Sequence, residues 1–292
     1  MPVRQEQSRE MMDEEEHFRI IEEPTPALRR RVWSGRWDFG LALVFYVFLA
    51  GSTIVLGSAL FLIAGFKISA LVSEVVLYLA VPYVLSRFVN TGWSSWMRRP
   101  HLTAGLWVWM LLALLGLGVL VSNISVAIDK VIPMSEEYKE FFEVYLRAGS
   151  VGEFVLVFLI AAVVPGVCEE ITFRGLIQEG IRVTYGPRVA IAVSSVMFAV
   201  IHLSIWNFPA LVLMGLFLGM LKEKTGSIWP GAAAHALNNS MALIVISIAP
   251  PSENTWQFEF FPFWANAVAA AAFALGIVLF RRRISVRSHA TG

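Results

Sequence analysis

The sequence predicts an all-α fold: a polytopic membrane protein, a bundle of about eight transmembrane helices with an interfacial helix before the fourth. Three observations predict it. Of the 292 residues, 57% are hydrophobic and the mean hydropathy is +0.66, where soluble domains sit near about 45–50% apolar. Uncharged runs recur at Phe39–Phe66, Leu102–Ile128, Val189–Leu221 and Phe260–Phe280, and a helix of about 20 residues crosses a bilayer core. Basic residues collect in alternate connections between these runs, which is the charge pattern of a multi-pass protein.

The elements follow in order. Residues 1–38 read as a largely disordered cytosolic tail. It holds Asp13-Glu14-Glu15-Glu16, then Pro24 and Pro26, then Arg29-Arg30-Arg31. It has no apolar stretch of the kind a cleaved signal peptide needs. Span 1 lies within Phe39–Phe66. Span 2 covers about Ile68–Arg87 and carries Glu74. Span 3 lies within Leu102–Ile128. Met134–Gly149 is charged and aromatic, the pattern of a helix lying at the interface. Span 4 starts near Gly152. Val189–Leu221 is too long for one span, and Asn207 and Pro209 divide it into spans 5 and 6. Span 7 covers about Ile228–Ala249 and ends at Pro250-Pro251. Span 8 covers about Phe260–Phe280 and is followed by Arg281-Arg282-Arg283. The transmembrane domain is therefore 39–283, with a short cytosolic tail at 284–292.

Charge sets the orientation. Arg29–Arg31 and Arg36, then Arg87, Arg98 and Arg99, then Lys222 and Lys224, then Arg281–Arg283 fall on one side. The positive-inside rule makes that side cytosolic, with both termini on it and the chain in the cell membrane. The net charge of +1 gives no footing for nucleic-acid binding. Membrane lipid is the expected partner.

The chemistry gathers between Pro165 and Arg174. Glu169, Glu170 and Arg174 stand in an apolar region, where ionisable groups are costly and usually functional. Glu170 and Arg174 are spaced i, i+4, as a same-face ion pair requires, which leaves Glu169 free to act as a base. Pro165-Gly166, one turn earlier, removes a helical hydrogen bond and predicts a kink. Phe198 and His202 share one helix face, as do His235 and Asn239. An imidazole and a carboxamide side by side suit a developing oxyanion. Taken alone, the carboxylates read equally as a structural ion-pair cluster, and His235 and Asn239 as interhelical hydrogen bonds. Cys168, the single cysteine, reads as apolar filler. Gly175, Gly215 and Gly219 read as packing positions.

The groups can meet only if span 4 continues as helix to about Gly180. Glu169 then lies roughly 16 Å from the inner end, His202 roughly 21 Å and His235 roughly 10 Å, at about 1.5 Å per residue. The turn Ser204–Phe208 would be partly submerged, which is tolerated where protein covers it.

Three motifs occur in order: Glu169-Glu170-Ile171-Thr172-Phe173-Arg174, Phe198-Ala199-Val200-Ile201-His202, and His235-Ala236-Leu237-Asn238-Asn239. With these the sequence resembles the CPBP/Abi family of intramembrane proteases, which includes the type II CAAX prenyl proteases. The match covers about 150–250. The resemblance implies an eight-helix bundle, a site facing the cytosol and hydrolysis of a peptide bond, and it alone implies a peptide or membrane protein as partner. Glu169 would activate water with His202. His235 and Asn239 would hold the oxyanion, and Glu170, Arg174 and Phe198 would support them. The family is usually called metalloprotease, which makes Zn²⁺ the expected cofactor, with Glu169, His202 and His235 as a ligand set. A metal-free glutamate mechanism uses the same residues, and both stay open. A transporter or an immunity or assembly factor, using the cluster as an ion or proton site, is the competing reading.

Overall fold

The computed structural model describes residues 37–248 and 259–290. The charged and proline-containing stretch before Trp37, and Pro250-Pro251, lie outside the described residues. Among the described residues the chain forms ten helices: α1 Phe39–Ala64, α2 Phe66–Phe88, α3 Trp93–Trp96, α4 Ala104–Val131, α5 Glu136–Leu146, α6 Val151–Tyr185, α7 Pro187–Ile201, α8 Phe208–Thr225, α9 Trp229–Ile248 and α10 Phe263–Ala290. The protein is a polytopic membrane protein. Helices α1, α2, α4, α6 and α10 are long and apolar enough to cross a membrane. At the three remaining expected spans stand shorter or more polar helices. Helix α7 has 15 residues, α8 closes on Lys222-Glu223-Lys224, and α9 carries His235, Asn238 and Asn239.

Local chemistry sets the boundaries. Asp38 caps α1, its Oδ1 accepting from Leu41 N at 3.0 Å, a side chain meeting one of the orphan amides of a first turn. Trp37 is part of the fold as well. It is buried, and its indole N–H donates to Leu176 O on α6 at 2.8 Å. Trp37 and Asp38, expected in the N-terminal tail, therefore belong to the helical domain. Helix α6 runs through the whole Glu169–Arg174 stretch to Tyr185 and stops at Gly186, φ 81°. That φ is left-handed, and glycine adopts it without steric cost. Asn207 and Pro209 divide α7 from α8 with a turn between them. Helix α10 continues past its arginines to Ala290. Arg283 lays its guanidinium over the Trp109 ring and Ile284 packs against the core, so the expected tail from 284 begins as helix.

Three stretches have π-helical turns: Glu74–Ala80 in α2, and Leu159–Val163 and Ile171–Ile177 in α6. Such turns insert an extra residue, shift the faces of a helix and concentrate at functional sites. Those in α6 bracket the stretch Val164–Glu170.

The core has two parts. One surrounds α6, where Phe173, Leu176 and Ile177 meet Phe45, Leu49, Tyr78, Trp96 and Phe198. The other joins α4, α8, α9 and α10 through Leu114, Leu117, Phe217, Leu218 and Phe280. Helices α4 and α10 approach to backbone contact at Gly116 and Gly276; a Cβ on Gly276 would lie 2.6 Å from Ala113 N. Small residues at a crossing are the usual means of close packing in a bilayer.

Candidate active site

Three helices deliver the polar side chains. Glu169 lies near the middle of α6, about 27 Å from Val151 and about 24 Å from Tyr185 at the helical rise. His202 caps the C-terminal end of α7. The next residue, Leu203, has φ 51°. A left-handed leucine costs about 1–2 kcal/mol, and it ends the helix directly after the imidazole. His235 lies two turns into α9. The start of α9 is fixed by α3, since Ile228 N donates to Trp96 O at 3.0 Å and Trp229 Nε1 to Met97 O at 2.8 Å.

The two imidazoles converge on one oxygen. His202 Nε2 is 3.9 Å and His235 Nε2 is 3.8 Å from Glu169 Oε2. His202 Nδ1 lies 2.7 Å from Phe198 O. A carbonyl only accepts, so Nδ1 carries the proton and Nε2 presents its lone pair in the neutral ring. His235 Nδ1 lies 3.3 Å from Glu170 Oε1. Glu170 Oε2 lies 3.4 Å from Arg174 Nε, and Glu170 and Arg174 are both fully buried. Among the described residues both Glu170 oxygens, Arg174 Nε and His235 Nδ1 have no hydrogen-bond partner, so these are charge contacts rather than closed hydrogen bonds. Phe198 is the hub. Its ring has the Arg174 guanidinium 4.6 Å from its centroid, and the rings of His202 and His235 at 4.7 and 5.6 Å.

Glycines give the carboxylates and helices room. A Cβ on Gly231 would lie 2.7 Å from Glu170 Oε2. A Cβ on Gly166 would lie 2.8 Å from Ala236 N, the residue after His235. Beside it, Pro165 has no N–H for the carbonyl four residues earlier. That carbonyl, Ala161 O, accepts from Asn239 Nδ2 at 3.3 Å. The amide of Asn239 is thus anchored on α6, and Asn238 Nδ2 donates to Asn239 Oδ1 at 3.3 Å. Cys168 is a free, buried thiol.

The Glu169, His202 and His235 atoms can be used in two ways. Zinc bonds of about 2.0–2.1 Å in a tetrahedron hold ligand atoms about 3.4 Å apart. Atoms each about 2.8 Å from one water can be 3.8–3.9 Å apart, as these are. Among the described residues no three His, Cys, Asp or Glu side chains are placed to hold a metal ion. The donor types suit zinc, and the separations of 3.8–3.9 Å suit groups sharing a water.

Residues 151–241 match the family described as Type II CAAX prenyl endopeptidase Rce1-like. The similarity is confined to this stretch, less than half of the 292 residues. The family it resembles is one of intramembrane proteases. The matched stretch takes in α6, α7, α8 and the first part of α9, and with them Glu169, Glu170, Arg174, Phe198, His202, His235 and Asn239. No curated protein and no solved structure matches the chain.

Helices outside the matched stretch close the site, and motif reading missed what they add. Helix α2 supplies Glu74, whose Oε2 is buried without a hydrogen-bond partner among the described residues and whose carboxyl is near enough to Glu169 to interact with it electrostatically. Its sequence signal was an ionisable residue alone in an apolar span. Thr172 Oγ1 donates to Tyr78 O at 2.9 Å, which sets the register of α2 against α6. Helix α5 roofs the turn after His202. Tyr138 OH meets Ser204 Oγ at 3.0 Å, and Trp206 Nε1, on that turn, donates to Ile132 O at 2.7 Å.

Proposed function

We propose that the chain is an intramembrane endopeptidase that hydrolyses a peptide bond of a membrane-associated or prenylated-type peptide without a bound metal. The observation that carries this reading is the convergence of two imidazole Nε2 atoms, from two helices, on Glu169 Oε2 at 3.9 and 3.8 Å. A water held between them donates one hydrogen to Glu169. Glu169 takes that proton as general base while the water oxygen bonds to the scissile carbonyl carbon. His202 Nε2 holds the water's second hydrogen. The tetrahedral oxygen is stabilised by His235 and by the Asn239 amide. The C–N bond breaks as the tetrahedral oxygen re-forms the carbonyl and Glu169 returns the proton to the leaving amine, giving an amine terminus and a carboxylic acid terminus that ionises by releasing the water's second hydrogen. Glu170 and Arg174 fix His235 from behind and Phe198 fixes both imidazoles. Eight membrane spans in the cell membrane, with both ends cytosolic, complete the reading.

The test uses purified protein in proteoliposomes with a mixed library of membrane peptides, new termini being mapped by mass spectrometry. The expected result is cleavage by wild type, none by Glu169→Gln, and a wild-type rate unchanged by a chelator. Chelator sensitivity reversed by zinc would put a metal between the same side chains. Equal silence of wild type and Glu169→Gln, with both folded, would favour an ion or proton site in a non-enzymatic membrane protein.

A further inference from the structure

The Asn239 side chain is held at both of its polar ends, by contacts of opposite kind. Its Nδ2 donates to Ala161 O on α6 at 3.3 Å. Its Oδ1 accepts from Asn238 Nδ2, one residue earlier on α9, at 3.3 Å. A carbonyl oxygen only accepts and a carboxamide nitrogen only donates. Turned over, Asn239 would set its oxygen against Ala161 O and its nitrogen against Asn238 Nδ2, with repulsion in place of both bonds. Its orientation is therefore fixed from α6 and again from α9. Pro165, four residues after Ala161, offers that carbonyl no N–H of its own. The distance between the helices is set close by, where a Cβ on Gly166 would lie 2.8 Å from Ala236 N. The Asn239 nitrogen has a second hydrogen, and the orientation decides whether a reacting group can use it. An oxyanion only accepts, so an amide nitrogen holds it and an amide oxygen repels it.

We infer that Asn238 is a positioning residue for hydrolysis: by donating to Asn239 Oδ1 it keeps the Asn239 nitrogen, and with it the second hydrogen, turned to where the tetrahedral oxygen forms. This rests on the protease reading. His235 and Asn239 are one turn apart on one face of α9. Asn238 lies about 100° round the helix from Asn239, and it acts through the Asn239 oxygen. Asn239 is the donor, and Asn238 decides which way the donor faces.

The experiment compares wild type with Asn238→Leu, Asn238→Asp, Asn239→Ala and the double variant Asn238→Asp with Asn239→Ala, on whichever library peptide wild type cleaves, with a melting curve for each. Leu keeps the bulk and removes the donor. Asp, ionised, presents only acceptors and turns Asn239 over. The expected kcat loss is about 10-fold for Leu, the size of one neutral hydrogen bond. It is about 100-fold for Asp and for Asn239→Ala, the size of one lost oxyanion donor, with KM within about twofold throughout. Asn238→Asp should cost nothing further once Asn239 is alanine, because the group it acts through is gone. Should Asp fail to fold, Leu carries the test alone. Wild-type kcat in the folded Asn238 variants, or a double variant whose loss is the product of the single losses, overturns the inference and leaves the protease reading standing. Magnetic resonance of protein with isotope-labelled asparagine reads the orientation without a substrate. Wild type should show a cross-peak between the Asn239 side-chain amide hydrogens and Ala161 that is lost in Asn238→Asp. The same cross-peak in both overturns the inference even if no library peptide is cleaved. A cross-peak lost as expected, with no peptide cleaved by wild type, supports the hold of Asn238 on Asn239 and places the failure in the protease reading.

Discussion

At the scale of single residues, the buried pair Glu170–Arg174 controls whether the site can exist. Both side chains are inaccessible to solvent. Removing one partner of such a pair strands the other charge, at a cost of about 3–5 kcal/mol. Arg174→Met is therefore expected to lower the melting temperature in detergent sharply, with cleavage lost along with the fold. Arg174→Lys should rescue little. A guanidinium is planar and forked, and this one reaches Glu170 at 3.4 Å and Gly215 O at 3.4 Å while facing the Phe198 ring. An ammonium is a point charge and cannot do all three. A lysine variant as stable as wild type would show that charge alone suffices. The candidate site was legible at this scale where the chain itself announces it. Glu169, His202 and His235 stand out because each is polar in an apolar run. What was not legible is pairing. That Asn239 answers the carbonyl left by Pro165, and that Glu74 comes near Glu169, depends on the register between helices, which spacing along one helix does not contain.

At the scale of elements, the site depends on how closely α6 and α9 approach. Gly166 is the point of contact. A methyl there would lie 2.8 Å from both Ala236 N and Ala236 Cβ, and 2.9 Å from Ala236 Cα. Three atoms at that distance, two of them backbone, cannot be relieved by a side-chain rotation. Gly166→Ala must move α9, and with it His235, away from Glu169. The expected cost is about 1–3 kcal/mol from overpacking, with a fall in kcat larger than the fall in stability explains. A variant with wild-type kcat and a lowered melting temperature would mean that His235 tolerates the shift. Helix positions were legible because apolar runs, Asn207 and Pro209 mark their limits. The π-helical turns were not. A kink at Pro165-Gly166 was expected, and just before the proline the chain takes an extra residue into Leu159–Val163. The proline's missing donor is visible in the sequence; the way the backbone absorbs it is a property of packing.

At the scale of the whole molecule, the packing gathers the charged ends that orientation depends on. Lys222 Nζ reaches Glu179 Oε2 at 2.6 Å and Glu179 also pairs with Arg182, which brings the end of α8 to the end of α6. Phe39 N donates to Thr184 Oγ1, bringing the start of α1 to the same place. Arg283 over Trp109 sets the basic part of α10 beside the start of α4. The other end has the acidic helix α5 and the Lys67–Glu153 pair. One end of the bundle is thus rich in basic residues, and the proposed orientation, taken from the positive-inside rule, puts that end in the cytosol. The single cysteine is buried and gives a silent background for labelling. Arg98→Cys, in the exposed connection between α3 and α4, and Glu136→Cys, on the exposed first turn of α5, report the two ends. A membrane-impermeant maleimide added to intact cells should label Glu136→Cys and spare Arg98→Cys, and inside-out vesicles should reverse the pattern. Labelling of Arg98→Cys from outside would invert the bundle and put α5 in the cytosol. A substrate would then reach His202 from the opposite face, because α5 roofs the turn that follows it.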